Sequence, residues 1–74
     1  MPKLPRLSGK ECISVLQQMG FIVARQKGSH VILRCAEHGC VVPMHREIRT
    51  GALAGVLRQG KIDPQDFIDA YHGR

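Results

Sequence analysis

The sequence has no tryptophan, one tyrosine, Tyr71, and two phenylalanines, Phe21 and Phe67. With rings so scarce, and those at apolar-stripe or core positions, there is little aromatic platform on which unpaired bases could stack, so strong sequence selectivity toward a nucleic acid is not expected. No run of about 18 apolar residues is present, which excludes a membrane-spanning helix. The start, Met1 to Leu7, lacks the apolar stretch of a secretory leader, so a cytoplasmic location is expected. Cysteine is present only as Cys12, Cys35 and Cys40. An odd count without an export signal argues against a disulfide framework and for reduced thiols. At 74 residues the chain has room for one domain, 1–74, with a modest core.

Eleven Lys and Arg against six Asp and Glu give a net charge of +5, which in so small a chain points to a polyanionic partner such as nucleic acid. The charge is unevenly spread. Residues 1–61 carry ten bases and three acids, whereas residues 62–74 carry Arg74 against Asp63, Asp66 and Asp69. The body is therefore basic and the tail acidic. Excess Lys for solubility is the bland alternative.

Ser8 and Glu11 form a capping box, Leu7 and Cys12 occupy staple positions, and Cys12, Val15, Leu16 and Met19 recur at helical spacing. A helix is predicted over about 9–19, stopped by Gly20. Phe21 to Gln26 reads as a strand, Lys27-Gly28 as a turn, and Ser29 to Cys35 as a second strand. A turn at Glu37-His38-Gly39 then leads to a third strand, Cys40 to Val42, stopped by Pro43. After a loop from Met44 to Arg49, Thr50 is expected to cap a helix with Leu53, Val56 and Leu57 inward, ended by Gly60. Asp63, Pro64 and Asp66 open a short last helix with Phe67, Ile68 and Tyr71 as its stripe and Ile62 and Phe67 as a staple. The class is α+β: helix, three-stranded antiparallel sheet, helix and a short C-terminal helix. One sheet face packs on two helices while the other is open, an order that resembles the double-stranded RNA-binding fold.

The stretch Gln26-Lys27-Gly28-Ser29-His30 sets a histidine at a strand start just after a tight basic turn. An imidazole, with a reference pKa of about 6.5, can take the proton of a ribose 2′-hydroxyl at neutral pH and turn that oxygen on the adjacent phosphorus, a step that requires no metal. Alternation puts His30 on one strand face with Ile32 and Arg34, with Arg25 and Lys27 close by in the hairpin to steady phosphorane charge. Taken alone, Gly28-Ser29-His30 also reads as an ordinary surface histidine. His45, in Val42-Pro43-Met44-His45, is an auxiliary candidate, able to approach phosphate or to protonate a leaving oxygen, or simply to order its loop. Arg46 and Arg49 in the same loop are candidates for phosphate contact. Cys35, His38, Cys40 and His45 are all of zinc-binding type, but their spacing matches no defensible zinc signature, and no metal site is assigned. Cys12 reads as core.

Read together, Leu7-Ser8-Gly9-Lys10-Glu11, Gln18-Met19-Gly20-Phe21, Arg25-Gln26-Lys27-Gly28-Ser29-His30, Val42-Pro43-Met44-His45 and Gly51-Ala52-Leu53 resemble the HicA toxin family, and Leu57-Arg58-Gln59-Gly60 and Phe67 extend the likeness. The resemblance covers residues from about 7 to 68. It implies a double-stranded RNA-binding-like fold, endoribonuclease cleavage of mRNA that arrests translation, and neutralisation by a HicB antitoxin from a neighbouring gene, while the histidine chemistry above leads to the expectation of no cofactor. The toxin is expected to be a monomer within a larger toxin–antitoxin complex. The histidine of the family's Gly-Ser-His motif is catalytic, which here is His30, and Lys10, Arg25, Lys27, Ser29, Arg34, Arg46 and Arg49 are the RNA-binding candidates. Ala52 stands where the family often has Thr, and the hairpin around Cys35 to Cys40 is richer in Cys and His than the family pattern. A non-catalytic RNA-binding module and a zinc-stabilised interaction domain remain the competing functions. The open sheet face and the rim at His30 are where an antitoxin would act by direct occlusion.

Overall fold

The first helix begins where the capping box predicts. In the computed structural model, which describes residues 3–73, the Ser8 hydroxyl accepts the Glu11 backbone N–H at 3.0 Å and a Glu11 carboxylate oxygen accepts the Ser8 N–H at 2.9 Å. Such a cap stabilises a helix start by about 1 kcal/mol. Helix α1 spans Gly9–Gln18. It ends as Gly20, at φ +103, donates its N–H to Gln17 and Phe21 donates to Leu16, a double closure of the last turn that a residue in the left-handed region makes. Three strands follow, β1 (Ile22–Lys27), β2 (His30–Cys35) and β3 (His38–Pro43), in an antiparallel sheet of order β1-β2-β3. Helices α2 (Thr50–Gln59) and α3 (Pro64–His72) complete the chain. This is the expected α+β order, consistent with the double-stranded RNA-binding-like description.

Both hairpins differ in detail from the sequence reading. The first turn is Gly28-Ser29, with Lys27 opposite His30, so β1 runs one residue further and β2 starts one residue later than expected. Gly28, at φ +61, takes the first loop position, where a two-residue loop of this kind favours glycine. The second turn is Ala36-Glu37, not Glu37-His38-Gly39. Cys35 pairs with His38, and β3 begins at His38. Ala36 takes φ +53 there, a conformation that its side chain disfavours and that the closing pair imposes.

The caps of the later helices split the same way. Asp63 caps α3 as expected, its carboxylate accepting the Gln65 N–H at 2.7 Å with Pro64 in the first turn. Helix α2, however, starts from Arg49, without a side-chain cap, and Thr50 is its first residue. Its end also shifts by one. Lys61, at φ +57, donates to Arg58, and Ile62 donates to Leu57, so Lys61 rather than Gly60 holds the left-handed position. Gly60 is needed for a different reason: a side chain there would meet Ile62 Cδ1 at 3.0 Å and Phe21 Cζ at 3.2 Å.

Leu16, Leu33, Val42, Leu53, Leu57 and Phe67 are fully buried in one core. Helices α1 and α2 both pack on β3, and α3 packs on α1 with its Phe67 buried in the core. None of the buried residues described is polar or charged, so apart from the thiols of Cys12 and Cys40 every described side chain that can do chemistry reaches the surface.

Candidate functional site

Three segments far apart in sequence meet at one end of the sheet. His30 opens β2, exposed, facing Lys27 across the first hairpin and Pro43 on β3. The Ser29 carbonyl, in the turn just before it, accepts the Met44 N–H at 2.7 Å. The next residue of that loop, His45, offers its carbonyl to the Gly9 N–H at the start of α1, at 2.9 Å. The loop is closed on its far side by an isolated bridge between Leu7 and Ile48, with the Ile48 N–H 2.8 Å from the Leu7 carbonyl oxygen. Met44, His45, Arg46 and Glu47 are thus exposed on a loop whose backbone is tied down at both ends.

Gly9 makes this meeting possible. It is buried, and a side chain on it would strike the Pro43 carbonyl oxygen and come within 2.9 Å of the Met44 Cα. Gly9 was legible in sequence only as one letter of a motif. The need for glycine arises from the close approach of two backbones, which no local pattern encodes.

Of the candidate residues, His30, Lys27, Ser29, His45 and Lys10 are gathered at this end, with Lys10 in the exposed first turn of α1. Arg46 is on the same loop. Arg25 lies on the outer sheet face with His30, two rungs inward through its pairing with Ile32. Arg34 shares that face but is four residues along β2, roughly 13 Å away at strand spacing, opposite Ile22 and Gly39. It is not brought to His30. Arg49, at the start of α2, lines a separate cleft of about 240 Å³ with Arg6, Glu47, Ile48 and Thr50. No aromatic side chain joins the outer face, since Phe21 and Phe67 are buried and Tyr71 is on α3.

The zinc-type quartet is pulled apart. Cys35 and His38 face each other beside the second turn, whereas His45 is past the other end of β3. Cys40 is in the core. Burial pushes the Cys40 thiol up to about 11 and the Cys12 thiol up to about 12, with neighbouring Cys40 adding to the effect on Cys12. Both are therefore protonated, and poor ligands, at neutral pH. Among the described residues no group of three or more His, Cys, Asp or Glu is placed to hold a metal ion, and no helix is long and apolar enough to cross a membrane.

No curated protein matches the sequence closely enough to count as a relative. Residues 9–62, most of the chain, match the family described as the HicA toxin of bacterial toxin–antitoxin systems. The matched span holds the α1 start, the Gly28-Ser29 turn with His30, and the loop with His45, the three segments that converge. The chain belongs to the HicA toxin family, and it is the toxin of a toxin–antitoxin pair.

Proposed function

We propose that this toxin is a metal-independent endoribonuclease that cleaves mRNA, with His30 as its catalytic residue. The observation that carries the reading is the convergence at His30: an exposed imidazole on a strand end, Lys27 opposite it, and the His45 loop hydrogen-bonded to its turn.

The reaction is a transesterification within the RNA. Neutral His30 takes the proton of a ribose 2′-hydroxyl as that oxygen attacks the adjacent phosphorus. The O2′–P bond forms, the P–O5′ bond breaks, and the electron pair leaves on the 5′-oxygen. His45, when protonated, supplies the proton that this oxygen needs. The products are a 2′,3′-cyclic phosphate and a 5′-hydroxyl end. Lys27 and Lys10 offset the charge that builds on the phosphorane, and the Ser29 turn holds the strand end at a fixed height against the loop. Arg25 and Arg46 extend the cationic track for the flanking phosphates. With no ring to stack bases, contacts are to the backbone, so cleavage is of low sequence selectivity.

A single 2′-deoxy substitution in an otherwise ribose oligonucleotide tests this chemistry. Cleavage is expected to vanish at that position and persist elsewhere. Undiminished cutting 3′ of the deoxy residue would show that the 2′-oxygen is not the nucleophile.

A further inference from the structure

Every residue of β1 is exposed. Ile22 keeps 68% and Val23 43% of its surface in water, although Val23 pairs with Leu33 on the face that is core elsewhere. The helices lie mainly over β3, α1 also meeting β1, and the outer edge of β3 is partly closed, because Gln59 of α2 accepts the Val41 N–H on Oε1 at 3.0 Å. Among the described residues nothing pairs with the outer edge of β1. An open strand edge carrying exposed branched residues is a template for another strand.

We propose that the outer edge of β1 is where the antitoxin docks, adding an extended acidic segment to the sheet as a fourth strand. Charge selects the partner. No Asp or Glu occurs between Glu11 and Glu37, while Arg25, Lys27 and Arg34 all fall in that stretch. The complementary segment carries carboxylates against Arg25 and Lys27 and apolar side chains against Ile22 and Val23. A second copy of this chain would bring a strand with no carboxylate to answer Arg25 and Lys27, on a body of the same positive net charge. RNA would answer the charge but leave the strand's backbone groups and the two branched side chains without partners. The register irregularity between Val23 and Arg25 divides the apolar end of β1 from its cationic end, so the two kinds of contact are separated along the strand.

The position has a consequence for inhibition, which rests on the ribonuclease reading. Lys27, the last residue of β1, pairs with His30. A segment added along β1 therefore ends at the rim of the candidate site, where it takes Lys27 from the phosphate and narrows access to the imidazole.

Hydrogen exchange of the purified toxin, alone and in complex with the antitoxin encoded beside it, tests the docking directly. The amides of residues 22–27 are expected to exchange at least tenfold more slowly in the complex. The double variant Ile22→Thr, Val23→Thr is expected to bind the antitoxin at least tenfold more weakly, with its thermal midpoint and RNA affinity unchanged. A stable complex in which β1 exchanges as in the free toxin, or a double variant bound as tightly as the parent, would overturn the proposal. So would a free toxin that sediments as a dimer dissociated by the two substitutions, which would assign the edge to a second copy. A loss of RNA affinity in the variant would assign it to RNA. None of these readings requires cleavage, so a parent toxin that fails to cut RNA would overturn the nuclease reading and leave the docking result standing.

Discussion

The Gly9 N–H donates to the His45 carbonyl at 2.9 Å, which ties the first turn of α1 to the loop beside His30. Gly9→Ala drives a methyl group into the Pro43 carbonyl, and two backbones must part to admit it. The expected cost is about 1–3 kcal/mol, as for other overpacked sites. It is read as a lower urea midpoint, together with faster exchange of the Gly9 amide and a shifted His45 ring resonance. An unshifted His45 resonance at parental stability would show that the loop does not depend on this contact.

Gly60 and Lys61 are neighbours with opposite expectations. Lys61 holds φ +57, so Lys61→Gly relieves a left-handed strain and is expected to raise stability by about 1 kcal/mol. Gly60→Ala presses against Phe21 and Ile62 and is expected to lower it. Thermal melts of the two single variants check the pair. A destabilising Lys61→Gly together with a stabilising Gly60→Ala would contradict the left-handed conformation of Lys61 and the packing against Gly60.

The parts of this fold governed by near neighbours were legible in the sequence. The Ser8–Glu11 box, the Gly20 stop and the Asp63-Pro64 start all depend on residues within one turn of each other, and each stands where the local pattern predicts it. Ala36 and Lys61 were missed because neither residue type signals a left-handed conformation. That conformation is imposed at Ala36 by the Cys35–His38 pair and at Lys61 by Ile62 folding back to Leu57. Thr50 resembles a cap, yet the chain enters α2 one residue earlier. In the candidate site, residue type and motif point to His30 and His45 as candidates. The contact that brings their segments together is tertiary and passes through Gly9 and Ser29. Sequence alternation correctly put Arg34 on the face of His30 but gave no sense of how far along the strand it lies.

Cys12 and Cys40 make stability fall at alkaline pH. Both thiols have folded values raised above 9.0, to about 12 and about 11, chiefly by burial. Above pH 9 the unfolded chain loses these protons before the folded one does. Their contribution is therefore fully present below pH 9 and is lost as pH rises through 11 and 12, at about 1.4 kcal/mol per pH unit for each titrating thiol. Urea unfolding of the parent and of the Cys12→Ala, Cys40→Ala variant between pH 8 and pH 11 is expected to show a shallower decline in the variant. Parallel declines would mean that the two thiols do not titrate on unfolding.

The cations differ in value by their place on the face. Lys27 is next to His30, and Lys27→Ala is expected to weaken RNA binding and to reduce the salt dependence of the binding constant by about 0.7–0.9, the equivalent of one phosphate contact. Arg34→Ala, at the other end of β2, is expected to leave cleavage at His30 nearly unchanged. Titrations at several salt concentrations, paired with single-turnover cleavage, separate binding from chemistry. Equal losses in cleavage from both substitutions would remove the distinction.

The central claim concerns His30. The direct measurement is cleavage of a long RNA in EDTA by the purified toxin and by its His30→Ala variant, with RNA affinity measured for both. The expected result is cleavage by the parent alone, with 2′,3′-cyclic phosphate ends, and similar RNA affinity for the two proteins. Equal cleavage by both would contradict the assignment of His30, and binding without cleavage by either would make this toxin an RNA-binding module rather than a nuclease.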